Sequence, residues 1–406
     1  MRIIFLVILI DLIGFGMMIP IMPYFVTSLG GSETLATIAV GLYAAGMFVS
    51  TPVLGRISDY YGRRPVLILS LVGASASYML LAVADSIAMV VASRILAGIM
   101  AGNLSAAQAY ITDITTPENR AKGMGMIGAA FGLGFVIGPF MGSYMAGSEF
   151  ETANLGLPAY VSASLSLLAA LIVLVKLPES LDQAHRDELR AQPRVGRLAA
   201  FRKVSATPFI LVFLVAATLQ NVSAGLGETV FPLWTREVGV VMGPRDLGPM
   251  LFAAGLTLAI VQGGLIGPLT KRFGEEVLLR AGLLIFVASM LLIAWTGGLG
   301  SYYGVIAALC VQSVGAALAA TSMQSLVSKG ASPTERGMVM GLYSSGSTGG
   351  RALGAMVTGG LMATVYLHAP YLVAAGVTLS IFVMTIVWSR VIHRVAVARE
   401  EGVSHG

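Results

Sequence analysis

The 406-residue chain has one cysteine, Cys310, so no disulfide forms within it and no metal site can rest on cysteine spacing. Charge is scarce: 11% of residues are Asp, Glu, Lys or Arg, against about 25% in ordinary soluble domains. A chain so poor in charge cannot cover a water-exposed surface. That excludes a soluble globular enzyme and a disordered protein alike. Histidine is sparse too, and His185, His368, His393 and His405 all fall in loops or near the C-terminal end. No nucleophile–base pair is visible, and no phosphate-binding glycine loop for ATP. The sequence predicts no catalytic residue, no cofactor and no metal.

What the chain has is apolar length. Hydrophobic residues make up 56%, and the mean hydropathy is +0.84. A helix of about 20 apolar residues crosses the hydrocarbon core, and the backbone must be fully hydrogen-bonded there. Twelve such runs begin near Ile3, Thr34, Val66, Ile87, Gly123, Leu157, Pro208, Leu247, Val277, Tyr302, Met338 and Pro370. They are about twice the length of barrel strands and do not alternate. The fold expected is all-α and membrane-embedded. The first run contains Asp11, Pro20 and Pro23, which argues against a cleaved signal peptide.

Lys and Arg sort to one side. One set of connections carries Arg2, Arg56, Arg63, Arg64, Arg120, Lys122, Lys271, Arg272, Arg280, Lys329 and Arg336, while the other carries only Arg236 and Arg245. This bias places both termini and the long middle loop in the cytoplasm. It also explains the pI near 9.3 without nucleic acid. The expected surroundings are a lipid bilayer, with the protein a monomer.

One long polar stretch, about 179–207, divides residues 1–178 from 208–406, six spans on each side. The halves echo each other. Gly55 and Gly62 match Gly267 and Gly274 at a shift of 212 (267 − 55, 274 − 62), as do Pro20 and Pro232. Pro117 and Arg120 match Pro333 and Arg336 at 216 (333 − 117, 336 − 120), as do Gly125 with Gly341 and Gly138 with Gly354. Six helices per half make the repeats parallel. Proteins of that build bind a substrate near the midplane, between the halves, and alternate access to it.

Asp11, Arg94, Glu228 and Arg351 lie inside spans. Charges there are costly and should face a cavity or a partner. By depth, Arg94 with Glu228, or Arg351 with either acid, is a better pairing than Arg94 with Asp11. A carboxylate at a cavity can gain a proton on one side and lose it on the other. Asp11, Glu228 and Arg94 are therefore candidates for proton coupling, the alternative being a static ion pair. Asn103, Gln108, Gln220, Asn221 and Gln312, with Met18 and Arg351, are candidates for contacting a small-molecule substrate. The neutral ones could equally serve helix-to-helix hydrogen bonds.

The segment Gly55-Arg56-Ile57-Ser58-Asp59-Tyr60-Tyr61-Gly62-Arg63-Arg64-Pro65 is the most specific motif. Asp59 and Arg63 can meet across one helical turn, and Asp113 and Arg120 flank the next loop on that side. Gly55, Asp59, Gly62, Arg63, Arg64, Asp113 and Arg120 are thus candidates for a gate.

This segment resembles the signature loop of the major facilitator superfamily. The first half is similar to the twelve-helix drug/proton antiporters, and among them to the tetracycline exporters. Asp11-Leu-Ile-Gly14-Phe-Gly16-Met-Met-Ile-Pro20-Ile-Met-Pro23 resembles their first-helix motif, and Arg94-Ile-Leu-Ala-Gly98 their fourth-helix motif, with Ala97 in place of a usual glutamine. Gly134-Phe-Val-Ile-Gly138-Pro139-Phe-Met-Gly142-Ser143 resembles the fifth-helix antiporter motif, with Ser143 in place of a second closing glycine. Glycines at every fourth position make a smooth face on which another helix can pack and slide.

The resemblance implies two six-helix bundles, a cavity lined by the first, fourth, seventh and tenth helices, a proton-linked Arg94 and a relay of Asp59, Arg63 and Asp113. In the second half the signature departs, with Lys271 where Asp59 would stand, and Glu228 and Arg351 have no counterpart in the tetracycline exporters. The function implied is secondary export of hydrophobic or amphipathic small molecules, tetracycline-like or of several kinds, in exchange for protons at a bacterial inner membrane. The rivals are a proton-coupled uptake symporter for a sugar or organic anion, and a lipid or glycolipid flippase.

Overall fold

The structure, a computed structural model, describes residues 1–181, 208–331 and 335–403. Most of the expected middle linker, from residue 182 to 207, lies outside the described residues. The described residues form helices and their connections, with no strand. Twelve helical spans follow one another: α1 (Arg2–Ser28), α2 (Glu33–Tyr61), α3 (Arg63–Ala82), α4 (Ile87–Asp113), α5 (Pro117–Ala146), α6 (Gly156–Lys176), α7 (Pro208–Glu237), α8 (Pro244–Phe273), α9 (Glu275–Gly298), α10 (Tyr302–Gly330), α11 (Arg336–Thr364) and α12 (Ala369–Val403). Eleven are long and apolar enough to cross a membrane. The twelfth, α11, has the length but is diluted by glycine, serine, threonine and Arg351.

Local chemistry sets the breaks. Pro20 and Pro23 remove two backbone donors, and α1 tightens at Ile19–Ile21, where the Ile19 and Ile21 amides donate to the Gly16 and Met18 carbonyls. Gly62 (φ +106°) and Gly274 (φ +79°) make the turns from α2 to α3 and from α8 to α9. Only glycine takes that conformation cheaply. In α8 the residues Val261–Leu265 widen into a π-helical turn.

Among the described residues, the two sets of six helices pack closely toward one end. On α2 and α11, Gly41 packs against Ala352 and Met356, and the Gly359 amide donates to Thr37 Oγ1 at 3.1 Å. On α5 and α8, Gly248 packs on Phe140 and Ser143, and Gly255 on Phe135 and Val136. Tyr24 donates its hydroxyl to the Pro232 carbonyl at 2.6 Å, joining α1 to α7. At the same end the Arg245 amide donates to the Gly147 carbonyl at 3.0 Å. The Arg236 guanidinium lies 4.9 Å from the Phe150 ring and that of Arg245 3.9 Å from the Tyr144 ring.

Toward the basic end the contacts thin out: a side-chain carbon added at Gly349 would lie 3.5 Å from Phe48, and one at Gly132 3.9 Å from Ala259. Beyond them, a side chain added at Gly125, Gly128, Gly263, Gly264, Gly267, Gly337 or Gly341 would meet nothing within 4 Å. A vestibule between the halves is therefore sealed at one end and open at the end that carries the signature loop.

Candidate functional site

Asp11 sits on α1, inside the first six helices. Its carboxylate accepts from Asn103 Nδ2 on α4 at 3.1 Å and from Ser166 Oγ on α6 at 3.4 Å. No cation lies within ion-pair distance of it among the described residues. Asn103 thus makes the helix-to-helix hydrogen bond that was one of its two expected roles. Ser166 was not foreseen, because nothing in the sequence marks which α6 residue faces α1.

Arg94 does not meet an acid. It is 3% exposed, lies over the Tyr78 ring at 5.7 Å, and reaches Ser93 Oγ at 3.5 Å. One of its terminal nitrogens is buried without a hydrogen-bond partner among the described residues. Tyr43 and Tyr78 are each within electrostatic reach of both Asp11 and Arg94. The expectation that Arg94 pairs with a carboxylate is thus corrected: the Tyr78 ring lies against its guanidinium, and no acid is within ion-pair distance among the described residues.

Glu228 and Arg351 do meet, at 2.6 Å, with side chains 49% and 45% exposed. Glu228 stands four residues before Pro232, about 6 Å along α7 from the seal. Arg351 projects about 160° around α11 from Leu353, which is exposed on the outer surface. The backbone beneath the pair is tight, since Gly225 packs on the Arg351 carbonyl. The pair therefore hangs from the ceiling of the open vestibule. Across from it Phe15, Tyr43 and Phe135 form an aromatic group, with Phe15 4.8 Å from Tyr43 and 5.9 Å from Phe135.

The remaining pocket candidates divide. Met18 is 2% exposed and packed in the apolar core of the sealed end, so it presents no surface to a ligand in this conformation. Asn221 donates to the Ala217 carbonyl of its own helix at 2.9 Å. The Gln220 side-chain oxygen is buried without a partner among the described residues. Gln312 approaches Gly227 of α7, and Gln108 is exposed on α4.

At the basic end, Arg63 gathers the first-half cluster. It donates to Asp59 at 2.6 Å, Ser58 at 2.6 Å and Asp113 at 3.2 Å. Glu179 caps the start of α3 by accepting from the Arg63 and Arg64 amides. Arg64 turns aside to the Leu174 carbonyl, and Gly55 faces Ser105. Arg120 is exposed and, among the described residues, makes no bond to this cluster.

The second half keeps the cross-helix limb of this cluster with its polarity reversed. Glu275 accepts from Lys329 at 2.6 Å and from Ser325 at 2.6 Å, joining α9 to α10. At the repeat shifts, Arg63 corresponds to Glu275 (275 − 63 = 212), Asp113 to Lys329 (329 − 113 = 216) and Asp59 to Lys271 (271 − 59 = 212). What reads as departure from the signature is a charge inversion of the same cross-helix latch.

On α5, a side chain at Gly134 would lie 2.7 Å from Leu12, and one at Gly138 2.7 Å from the Ile13 carbonyl, while Gly142 abuts Met17. Pro139 lies against Gly16. The glycine face is thus pressed onto α1. Gly350, Gly354 and Thr358 repeat the arrangement of α11 on α7.

The same shifts show where the halves differ. Ser223 and Thr378 share a hydrogen bond at 2.8 Å in the places of Asp11 and Ser166 (223 − 11 = 212, 378 − 166 = 212). Phe135 and Gly16 take the places of Arg351 and Glu228 (351 − 135 = 216, 228 − 16 = 212). The first half holds the lone carboxylate and the rings; the second holds the ion pair.

Two six-helix sets around a vestibule open at one end define a membrane transporter, not an enzyme. The family model for the Major Facilitator Superfamily matches residues 4–266 and 243–403, and the chain belongs to that family. It is 33% identical over 294 residues to the tetracycline resistance protein, class C, of Escherichia coli, covering 70% of this chain and 71% of the relative. It is 27% identical over 393 residues to multidrug resistance protein 2 of Bacillus subtilis, covering 94% and 93%. Among solved structures, the human organic anion transporter MFSD10 aligns with a TM-score of 0.68 at 26% identity, over 95% of this chain and 98% of that one.

Proposed function

We propose that the protein exports amphipathic small molecules across a bacterial inner membrane in exchange for protons. The relatives named as tetracycline and multidrug resistance proteins support drug efflux. With the basic end in the cytoplasm, the vestibule faces inward and its seal faces outward, a state ready to load cargo from inside.

The observation that carries the coupling is the setting of Asp11. It is held by two neutral donors, so gaining a proton breaks no ion pair, and losing it leaves the carboxylate hydrogen-bonded. Arg94, buried nearby without an acid, sets the local potential. Glu228 is a second carboxylate within reach of vestibule water. The Asp59–Arg63–Asp113 cluster and its inverted copy hold the cytoplasmic helix ends as rigid units while the halves rock about the seal.

Inverted membrane vesicles test the direction. With an acid interior, they should accumulate a tetracycline or a fluorescent amphiphile against its gradient, and collapsing the pH difference should release it. Accumulation by right-side-out vesicles with an acid exterior would instead show proton-coupled uptake.

A further inference from the structure

We propose that Glu228 and Arg351 form an exchangeable ion pair that selects zwitterionic amphiphiles as cargo. The inference deepens the export reading and rests on it for the direction of movement alone.

Four observations converge. The pair is short, at 2.6 Å, yet each side chain is about half exposed, so water reaches both charges. It hangs from the vestibule ceiling, one turn of α7 below the Tyr24–Pro232 contact, where the last space closes. Both residues belong to the second six helices, so the pair does not bridge the halves and need not break for them to move. Its repeat counterparts are Gly16 and Phe135, and Phe135 joins Phe15 and Tyr43 in an apolar, aromatic wall. One wall offers a plus and a minus charge side by side, and the other offers ring faces.

Charge balance then decides the class. Half-exposed pairs cost little to open, because their mutual attraction is weak in water. Once the vestibule dries, any bare charge left behind is expensive. A singly charged anion would pair with Arg351 and strand Glu228, which would have to travel bare or carry a cytoplasmic proton outward, against the exchange. A singly charged cation would pair with Glu228 and strand Arg351, which has no neutral form to fall back on. A molecule with both signs replaces each partner at once: its anionic group meets Arg351, its cationic group meets Glu228, and its flat apolar body lies on Phe15, Tyr43 and Phe135. No protonation change at Glu228 is required, which leaves proton traffic to Asp11.

The test measures equilibrium binding of three xanthene dyes to the purified full-length protein in lipid nanodiscs without any gradient. Rhodamine B is the zwitterion, its ethyl ester the cation, and fluorescein methyl ester the anion. Wild type should bind rhodamine B about tenfold more tightly than either singly charged dye, the size of one charged hydrogen bond. Glu228→Gln should raise the relative affinity for the anion, and Arg351→Gln that for the cation. Exchange of both residues, Glu228→Arg with Arg351→Glu, keeps both charges and should restore the preference for rhodamine B. Equal affinities in wild type, an unchanged ranking in the variants, or binding of none of the dyes would overturn the proposal. Failure of proton-driven transport with this ranking intact would refute the export reading and leave the selectivity standing.

Discussion

The seal at the external end can be opened by design. Only contacts between the halves shift the balance of inward and outward states, because contacts within a half survive the rocking motion. Among the contacts that cross the seal, three can be removed by small substitutions: the Tyr24 hydroxyl on the Pro232 carbonyl, Arg236 over Phe150, and Arg245 over Tyr144. A buried hydrogen bond contributes about 1 kcal/mol, and an exposed cation–π contact about 0.5–1 kcal/mol. Tyr24→Phe combined with Arg236→Gln and Arg245→Gln therefore removes about 2–3 kcal/mol from the inward-facing state, or about 30- to 150-fold in the equilibrium. The assay places one cysteine at Met356, which packs across the seal on Gly41, in a Cys310→Ser background. The rate of labelling by an impermeant maleimide from outside should rise by at least about thirtyfold. An unchanged rate would refute the assignment of these contacts as the lock.

Other expectations follow from single sites. Gly138→Leu should lower the yield of folded protein and its melting temperature, since even a first side-chain carbon would lie 2.7 Å from the Ile13 carbonyl of α1. Arg63→Ala removes the guanidinium that Asp59 and Asp113 share; it should cost about 3 kcal/mol in thermal unfolding, and Asp59→Asn with Asp113→Asn added should recover part of that. His368 lies outside the spans, and burial holds its imidazole below the ordinary value of 6.5 while Nδ1 accepts from Trp234 Nε1 at 3.0 Å. Its neutral form is the folded one, so the stability it contributes is full above pH 6.5 and is lost as pH falls toward the lowered folded value. Acidification should change the Trp234 fluorescence, and His368→Asn should remove that pH dependence.

Much of this molecule was legible in its letters because a bilayer leaves few options. The twelve spans follow from apolar length, α11 among them although glycine, serine, threonine and Arg351 dilute it. Depth along the spans ranks Arg94 with Glu228, and Arg351 with either acid, above Arg94 with Asp11; the structure pairs Arg351 with Glu228 and sets Arg94 over the Tyr78 ring. Depth carries no rotational information, however. It could not show that Arg94 faces Tyr78 rather than a carboxylate, that Met18 packs into the seal, or that Asn103 and Ser166 converge on Asp11. The inverted latch was written in the sequence, since adding 212 to Arg63 gives Glu275. Charge type differs between the two halves at these positions, while charge complementarity is kept. The pairing of Ser223 with Thr378 needed the packing of α7 on α12, which a pattern of apolar residues does not specify.

The central claim is that one carboxylate, Asp11, carries the proton while cargo binds elsewhere in the vestibule. The direct measurement is transport of one amphiphilic dye by reconstituted Asp11→Asn protein, with and without a pH gradient. Exchange of dye between equal pools on both sides should persist at a rate near wild type, and accumulation driven by the pH gradient should vanish. Accumulation that matches wild type in this variant would contradict the account.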